Sequence, residues 1–288
     1  ALPLISSGIT LRNGTLERDT AAPEFRLLAT ASNAHLIADS VNFRNGRASE
    51  GGAIYSQGVL ELLNAGFFNN GDLTQTTRGG AILNLGFTLR ILGSRFEGNR
   101  ADLGGAIFLD TGDFFMRTSH LENNQATQGG ALFVLTGLMR LLGNDFVENI
   151  AAEGGAIHTE SDDGRISGQR FWRNQATTRG GAVSCSNLSG NLWLSNSLFV
   201  GNLGPQGVAL HCDYARLSNV TLSGHSGIAG SSLFSTPTPG SNPQLVNSIL
   251  WGNASLPVGA ASISRSVVEG GFPGGTDILD LDLRFTDA

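Results

Sequence analysis

The stretch Gly104-Gly105-Ala106-Ile107-Phe108-Leu109 decides the fold, because it is one of a series. The tetrad Gly-Gly-Ala followed by Ile, Leu or Val also stands at residues 51–54, 79–82, 129–132, 154–157 and 180–183. Worn copies follow at Gly207-Val208-Ala209-Leu210, at Gly230-Ser231-Ser232-Leu233 and at residues 259–262. The first glycines recur every 23 to 29 residues. A recurring period of this size marks a solenoid.

Outward from the tetrad, each repeat has two more parts. An alternating run such as Thr88-Leu89-Arg90-Ile91-Leu92 comes next. The repeat then closes on Phe-x-x-Asn, as in Phe67/Asn70, Phe96/Asn99, Phe146/Asn149, Phe171/Asn174 and Phe199/Asn202. Leu121/Asn124 and Leu250/Asn253 are close variants, and Leu222/His225 puts His where Asn is expected. Three short period-2 strands per repeat predict an all-β chain wound as a single right-handed parallel β-helix. Nine or ten coils spaced by about 4.8 Å make a rod about 45 Å long. No run has the 3.6-residue period of a helical solenoid.

The columns of this repeat predict their own roles. Asn64, Gly93, Thr118, Gly143, Gly168, Asn196, Asn219 and Asn247 lie three places before the Phe/Leu column. Asn and Gly tolerate positive φ, so this column is expected to be a corner between two sheets. The Phe/Leu column should point inward and stack, and the Asn column should form a hydrogen-bonded ladder. The whole chain, 1–288, reads as one domain. Residues 1–46 form opening coils, with Phe25-Arg26-Leu27-Leu28 in the tetrad's place; 47–203 are regular repeats; 204–288 are degenerate repeats. Leu279, Leu281, Leu283 and Phe285, alternating with charged residues, read as a closing strand.

Composition narrows the functional classes. The 288 residues carry a net charge of −6, and all 18 basic residues are Arg. An acidic chain without a basic run is a poor partner for nucleic acid. No apolar run reaches the roughly 20 residues of a membrane-spanning helix. No positively charged start followed by an apolar segment, as in a secretory leader, is legible. No cofactor or metal motif is present: there is no phosphate loop, no Cys/His zinc spacing and no calcium-loop repeat.

Two columns beside the tetrad bear on function. Five places after the first glycine lie Ser56, Asn84, Leu109, Val134, Thr159, Cys185, Cys212 and Ser235. This column should point inward, which sets Cys185 over Cys212 on neighbouring coils. Such a pair is either a disulfide or two stacked buried thiols. One place earlier, and expected to point outward, are Tyr55, Leu83, Phe108, Phe133, His158, Ser184, His211 and Phe234. A contiguous aromatic row on an outer face is a candidate contact surface for a protein or glycan, with Tyr55, Phe108, Phe133, His158, His211 and Phe234 as its anchors. The other reading is a turn folded over the row.

The two motifs in phase, best kept over residues 51–202, resemble the repeats of polymorphic outer-membrane proteins. Residues 247–253, with Ser266-Val267-Val268-Glu269-Gly270-Gly271-Phe272-Pro273-Gly274-Gly275, are similar to the closing coils of large secreted bacterial right-handed β-helix proteins. The resemblance implies a pectate-lyase-like superhelix and export to the periplasm, cell surface or exterior. It also implies an adhesin-like or scaffolding role.

Catalysis has weaker candidates. The acidic cluster around Asp162 and Asp163, beside His158, has the paired carboxylates of a glycoside hydrolase or a polysaccharide lyase. Gly224-His225-Ser226 resembles the Gly-His-Gly of polygalacturonase-like enzymes. The plain readings are a solvated acidic turn and a ladder substitution. Arg90, Arg140, Arg165 and Arg216 form an outward column, interrupted by Phe115 and Trp193, that is suited to an acidic sugar chain or to solvent. The sequence therefore favours an exported, non-enzymatic binding or structural rod. A carbohydrate-active enzyme and an accessory subunit of a larger assembly are the alternatives.

Overall fold

The computed structural model describes residues 4–161, 163–186, 191–226, 232–236, 238, 241, 243–253 and 261–280, with Asp163 and Asn191 described by backbone alone. These residues form a right-handed parallel β-helix of about 9 turns without an α-helix. Strands at equivalent places in successive repeats pair in parallel. Ile54–Ser56, Ile82–Asn84, Ile107–Leu109, Leu132–Val134, Ile157–Thr159 and Val183–Cys185 run side by side in one ten-stranded sheet. In the opening coils Leu28 pairs with Ile54, so 25–28 does take the tetrad's place.

The alternating runs form a second face, from Val59–Leu63 through Thr88–Leu92 and Asp113–Arg117 to Gln244–Val246. The Phe-bearing strands, such as Gly66–Phe68, Arg95–Glu97 and Arg170–Trp172, form a third. The corner between these faces is the expected one. Asn64, Gly93, Thr118, Gly143, Gly168, Asn196, Asn219 and Asn247 all have φ between 48° and 70°. Thr118, at φ 48°, is the member least suited to that region.

The tetrad's two glycines do different work. The first has positive φ, at 57° in Gly51 and 63° in Gly104. A Cβ on the second would strike a carbonyl of the next coil: Gly105 faces the oxygen of Gly130, and Gly130 that of Gly155. One glycine turns the chain and its neighbour lets the coils touch.

Inside, Phe43, Phe67 and Phe96 stack with centroids 4.8 and 4.7 Å apart, and Phe146, Phe171 and Phe199 at 5.2 and 4.6 Å. All six are fully buried. Each such side chain contributes roughly 1.5–3 kcal/mol of burial, and each aromatic pair about 0.5–1.5 kcal/mol more.

The Asn ladder runs from Asn70 to Asn253 without a gap. Asn70, Asn99, Asn124, Asn149 and Asn174 each donate Nδ2–H to Oδ1 of the next Asn at 2.9–3.0 Å. Each also donates to a backbone carbonyl, Asn124 to that of Phe96 at 3.1 Å. His225 fits the series, because its Nε2 meets Asn202 Nδ2 at 3.4 Å and its Nδ1 meets Asn253 Oδ1 at 2.9 Å. A second polar column went unread in the sequence. Ser94, Ser119, Asn144, Gln169, Ser197, Ser248 and Ser266 follow the corner residues, and most accept the backbone N–H of the coil before.

The closing strand is partly described. Thr276–Leu279 pairs with Ser262–Val268, whereas Leu281, Leu283 and Phe285 lie outside the described residues. Glu153 and Arg179 begin a further feature: short pairings such as Glu50 with Arg78, Leu103 with Gln128 and Glu153 with Arg179 line up the residues just before each tetrad.

Candidate functional site

The row expected on the outside is covered. Tyr55, Leu83, Phe108, Phe133, His158, Ser184 and His211 are in register, one per coil. Phe108 and Phe133 are 2% exposed, His158 0% and His211 3%; only Tyr55 is half-buried. Part of the cover comes from residues just before the tetrad, Arg78 and Leu103, each followed by a glycine at positive φ. The Arg78 guanidinium lies over the Phe108 ring, 5.4 Å from its centroid, and Arg26 lies over Tyr55 at 4.7 Å. Leu103, Leu85 and Leu135 pack on Leu83, Phe108 and Phe133. Arg78 also reaches Glu50, and Asp110 at 3.6 Å, which clasps the stack from both sides. The row is thus a second, smaller core outside the first sheet.

Phe234 needs a further correction. It pairs with Leu210 and joins the inward column of the main core, while Ser235 takes the place beside His211. The register has slipped by one relative to the glycine spacing. Cys185 and Cys212 are bonded in a disulfide, with Cα atoms 4.7 Å apart and both residues buried. Of the acidic candidates, Asp162 lies outside the described residues. Asp163 begins the strand Asp163–Ser167 on the second face, whereas His158 belongs to the first sheet. His225 is fully buried inside the ladder. Burial pushes its imidazole down to about 4, against the opposing hydrogen bond to Asn253.

Past Phe133 the covered row turns polar. His158 stacks on Phe133 at 4.9 Å between centroids. Its Nε2 meets Ser186 Oγ at 3.2 Å, and its Nδ1 lies 3.9 Å from Glu153 Oε2. Arg179 Nη2 donates to Glu153 Oε1 at 2.8 Å, and Gln128 Nε2 to Oε2 at 3.1 Å. Burial raises the Glu153 carboxyl, but these two hydrogen bonds and the Arg179 charge outweigh it and hold the group below the usual carboxylate range. Burial pushes His211 down to about 4, and the Arg179 charge adds to the shift.

The exposed candidate is the arginine column. Arg90, Phe115, Arg140, Arg165, Trp193 and Arg216 are in register on the second face, one per coil. All four arginines are exposed, and no carboxylate whose side chain is described lies within 4.0 Å of any of them. Glu61, next in the row, is taken by His35 at 2.9 Å. Trp193 is 47% exposed, with the Arg216 guanidinium over its ring at 5.0 Å. Two depressions follow the row. Arg90, Asp113, Phe115 and Arg140 line the first; Leu142, Arg165, Ser167 and Trp193 line the second.

Among the described residues no group of three or more His, Cys, Asp or Glu is arranged to hold a metal ion, and no helix is long and apolar enough to cross a membrane. No family model, no curated protein and no solved structure matches the chain. The likeness to outer-membrane-protein repeats rests on the two motifs alone.

Proposed function

We propose that this β-helix is an exported binding rod that holds an acidic glycan along the second face. The observation that carries the reading is the row Arg90, Phe115, Arg140, Arg165, Trp193 and Arg216, in which two aromatic rings are interspersed among four exposed arginines without described carboxylate partners. A guanidinium offers a planar fork to a sugar carboxylate or sulfate. An exposed ring offers an apolar face on which a pyranose can lie. Coils spaced by about 4.8 Å repeat these groups along a straight line, which suits an extended polymer rather than a compact ligand. The disulfide between Cys185 and Cys212 supports export, because such bonds persist outside the reducing cytosol.

The test is binding to polygalacturonate, alginate and heparin, with dextran as the neutral control, measured by calorimetry at low and high salt. Binding to an acidic polymer that falls with salt, and is lost in an Arg140→Glu/Arg165→Glu variant of unchanged melting temperature, is the expected result. Equal binding to dextran, or none to any acidic polymer, sinks the proposal.

A further inference from the structure

Four buried polar atoms without a hydrogen-bond partner gather on three adjacent coils: His158 Nδ1, Arg179 Nε, Ser184 Oγ and His211 Nε2. His158 is in register with Ser184, and Ser184 with His211. Leaving a buried donor or acceptor unpaired forfeits its hydration with nothing in return, so a fold rarely collects several in one place without a use for them. Among the described residues one other buried side-chain atom, Asn84 Oδ1, lacks a partner, and it stands alone several coils away, so the cluster is a local concentration.

The cluster has an order to it. The His158 imidazole is held flat against Phe133. One ring nitrogen, Nε2, faces the Ser186 hydroxyl at 3.2 Å; the other, Nδ1, faces the Glu153 carboxylate at 3.9 Å. Glu153 is fixed from behind by Arg179 and Gln128 and is ionised at neutral pH. Ser186 stands just past the end of the strand Val183–Cys185 and is half-buried, whereas the His158 ring beside it is fully buried. Its backbone N–H donates to the Thr159 carbonyl at 3.1 Å, which seats it beside the coil that carries His158. Glu160 Oε1, 3.8 Å from Nε2, adds a second negative charge beside the ring. A hydroxyl on one imidazole nitrogen and a fixed carboxylate on the other is the arrangement that activates a serine nucleophile. Contacts of this kind are often long before substrate binds and shorten in the complex.

We propose that Ser186, His158 and Glu153 form an acyl-transfer site for small carboxylic esters. Ser186 Oγ attacks the ester carbonyl carbon as its proton passes to His158 Nε2. Glu153 orients the ring and balances the imidazolium through Nδ1–H. The tetrahedral adduct collapses with cleavage of the carbon–oxygen bond to the alcohol, which leaves with the proton from Nε2. Water then gives a proton to Nε2 and its oxygen to the acyl carbon. Ser186 departs and recovers its proton, and the products are one alcohol and one carboxylic acid. Ser184 Oγ and Arg179 Nε are the unpartnered donors next to this site; Ser184 packs against Gly180, the residue after Arg179. This site lies on the first sheet, away from the arginine row, so it stands or falls independently of glycan binding.

The experiment uses the whole chain, a fluorophosphonate probe and p-nitrophenyl acetate. One phosphonate per chain on Ser186, found by peptide mass mapping, and acetate turnover that disappears in Ser186→Ala are expected. His158→Gln should slow labelling about 10²-fold or more. Glu153→Gln should lower kcat and leave KM in place. Ser186→Ala keeps the backbone contact but leaves the buried His158 Nε2 without its hydroxyl partner, so a slightly lower melting temperature with an unchanged circular-dichroism spectrum is expected. A native chain that takes up no label, label that persists in Ser186→Ala, or an undiminished labelling rate in His158→Gln each overturns the assignment.

Discussion

On the third face, basic groups meet carboxylates. Arg95 reaches Glu97 at 3.0 Å and Glu122 at 2.9 Å; His120 reaches Glu122 at 3.1 Å; Arg170 reaches Asp145 at 3.1 Å. Around one corner, on the second face, Arg90, Arg140, Arg165 and Arg216 meet none among the described residues. The two faces share coils, spacing and interior, so geometry does not explain the difference. The residues in register do. Arg95 stacks under His120 and Asp145, with Glu97 and Glu122 in the neighbouring row. Arg140 stacks between Phe115 and Arg165, and Arg165 under Trp193. One face neutralises itself, and the other leaves its charge for something else.

Both faces depend on one interior, and breaking it should produce the largest effect. Phe96→Ala opens a gap between fully buried Phe67 and Leu121 on the neighbouring coils, and is expected to cost about 3–5 kcal/mol. Asn124→Ala leaves the Asn99 N–H and one Asn99 Nδ2–H without acceptors and strips the Phe96 carbonyl of its donor. At about 1–3 kcal/mol for each buried group, the total loss is of similar size. Chemical denaturation of each variant checks this. A loss under about 1 kcal/mol for either would mean that the coils do not share load as the stacks imply.

The next effect tests the ladder at its weakest rung. His225 titrates near 4 in the fold against about 6.5 when free. The unfolded chain therefore binds the proton first. The rung's stability is complete above about pH 6.5 and is lost as pH falls toward 4, by up to about 3 kcal/mol. His211, lowered to about 4, acts in the same direction over the same window. His225→Asn should flatten part of the fall in melting temperature between pH 7 and pH 4. An unchanged slope would place the acid sensitivity elsewhere.

How much of this was legible in the sequence follows from what each feature depends on. Corner, ladder and inward stack are set within one repeat, so residues such as Asn64, Asn124 and Phe96 announced them. The cover over Phe108 was not legible in that way. It arises because Gly104 turns the chain at positive φ while Arg78 comes from the coil before, and alternation alone sends Phe108 outward. The residue preceding each tetrad was the available signal: Arg78, Leu103, Glu153 and Arg179 change with the row they cover. Phe234 departs from its expected column because pairing with Leu210, and not the glycine spacing, sets the register there. Ser186, His158 and Glu153 come from two coils and three parts of the repeat, so no local motif joins them.

A smaller effect separates the faces by function. Arg140→Ala should weaken acidic-glycan binding about tenfold, or about 1.4 kcal/mol, with little change in stability. Asp113 lines the same depression, so Asp113→Asn should strengthen binding. Titration of each variant with one acidic polymer checks both signs. Opposite results would detach the ligand from this face.

The smallest effect is on the face that pairs its charges. Arg95→Gln removes contacts to Glu97 and Glu122, all about half exposed or less. Water and salt screen such pairs, and holding long side chains in one geometry costs entropy that the substitution removes, so the expected loss is about 0–1 kcal/mol. Glu122 keeps His120 at 3.1 Å, which reduces the loss further. Glycan binding should not change, since Arg95 lies around the corner from Arg140. The same substitution at Arg140 should reverse the pattern, leaving stability alone and reducing binding. A chain in which both substitutions weaken binding equally would show that net charge attracts the polymer, and that the alignment of arginine with aromatic rings plays no part.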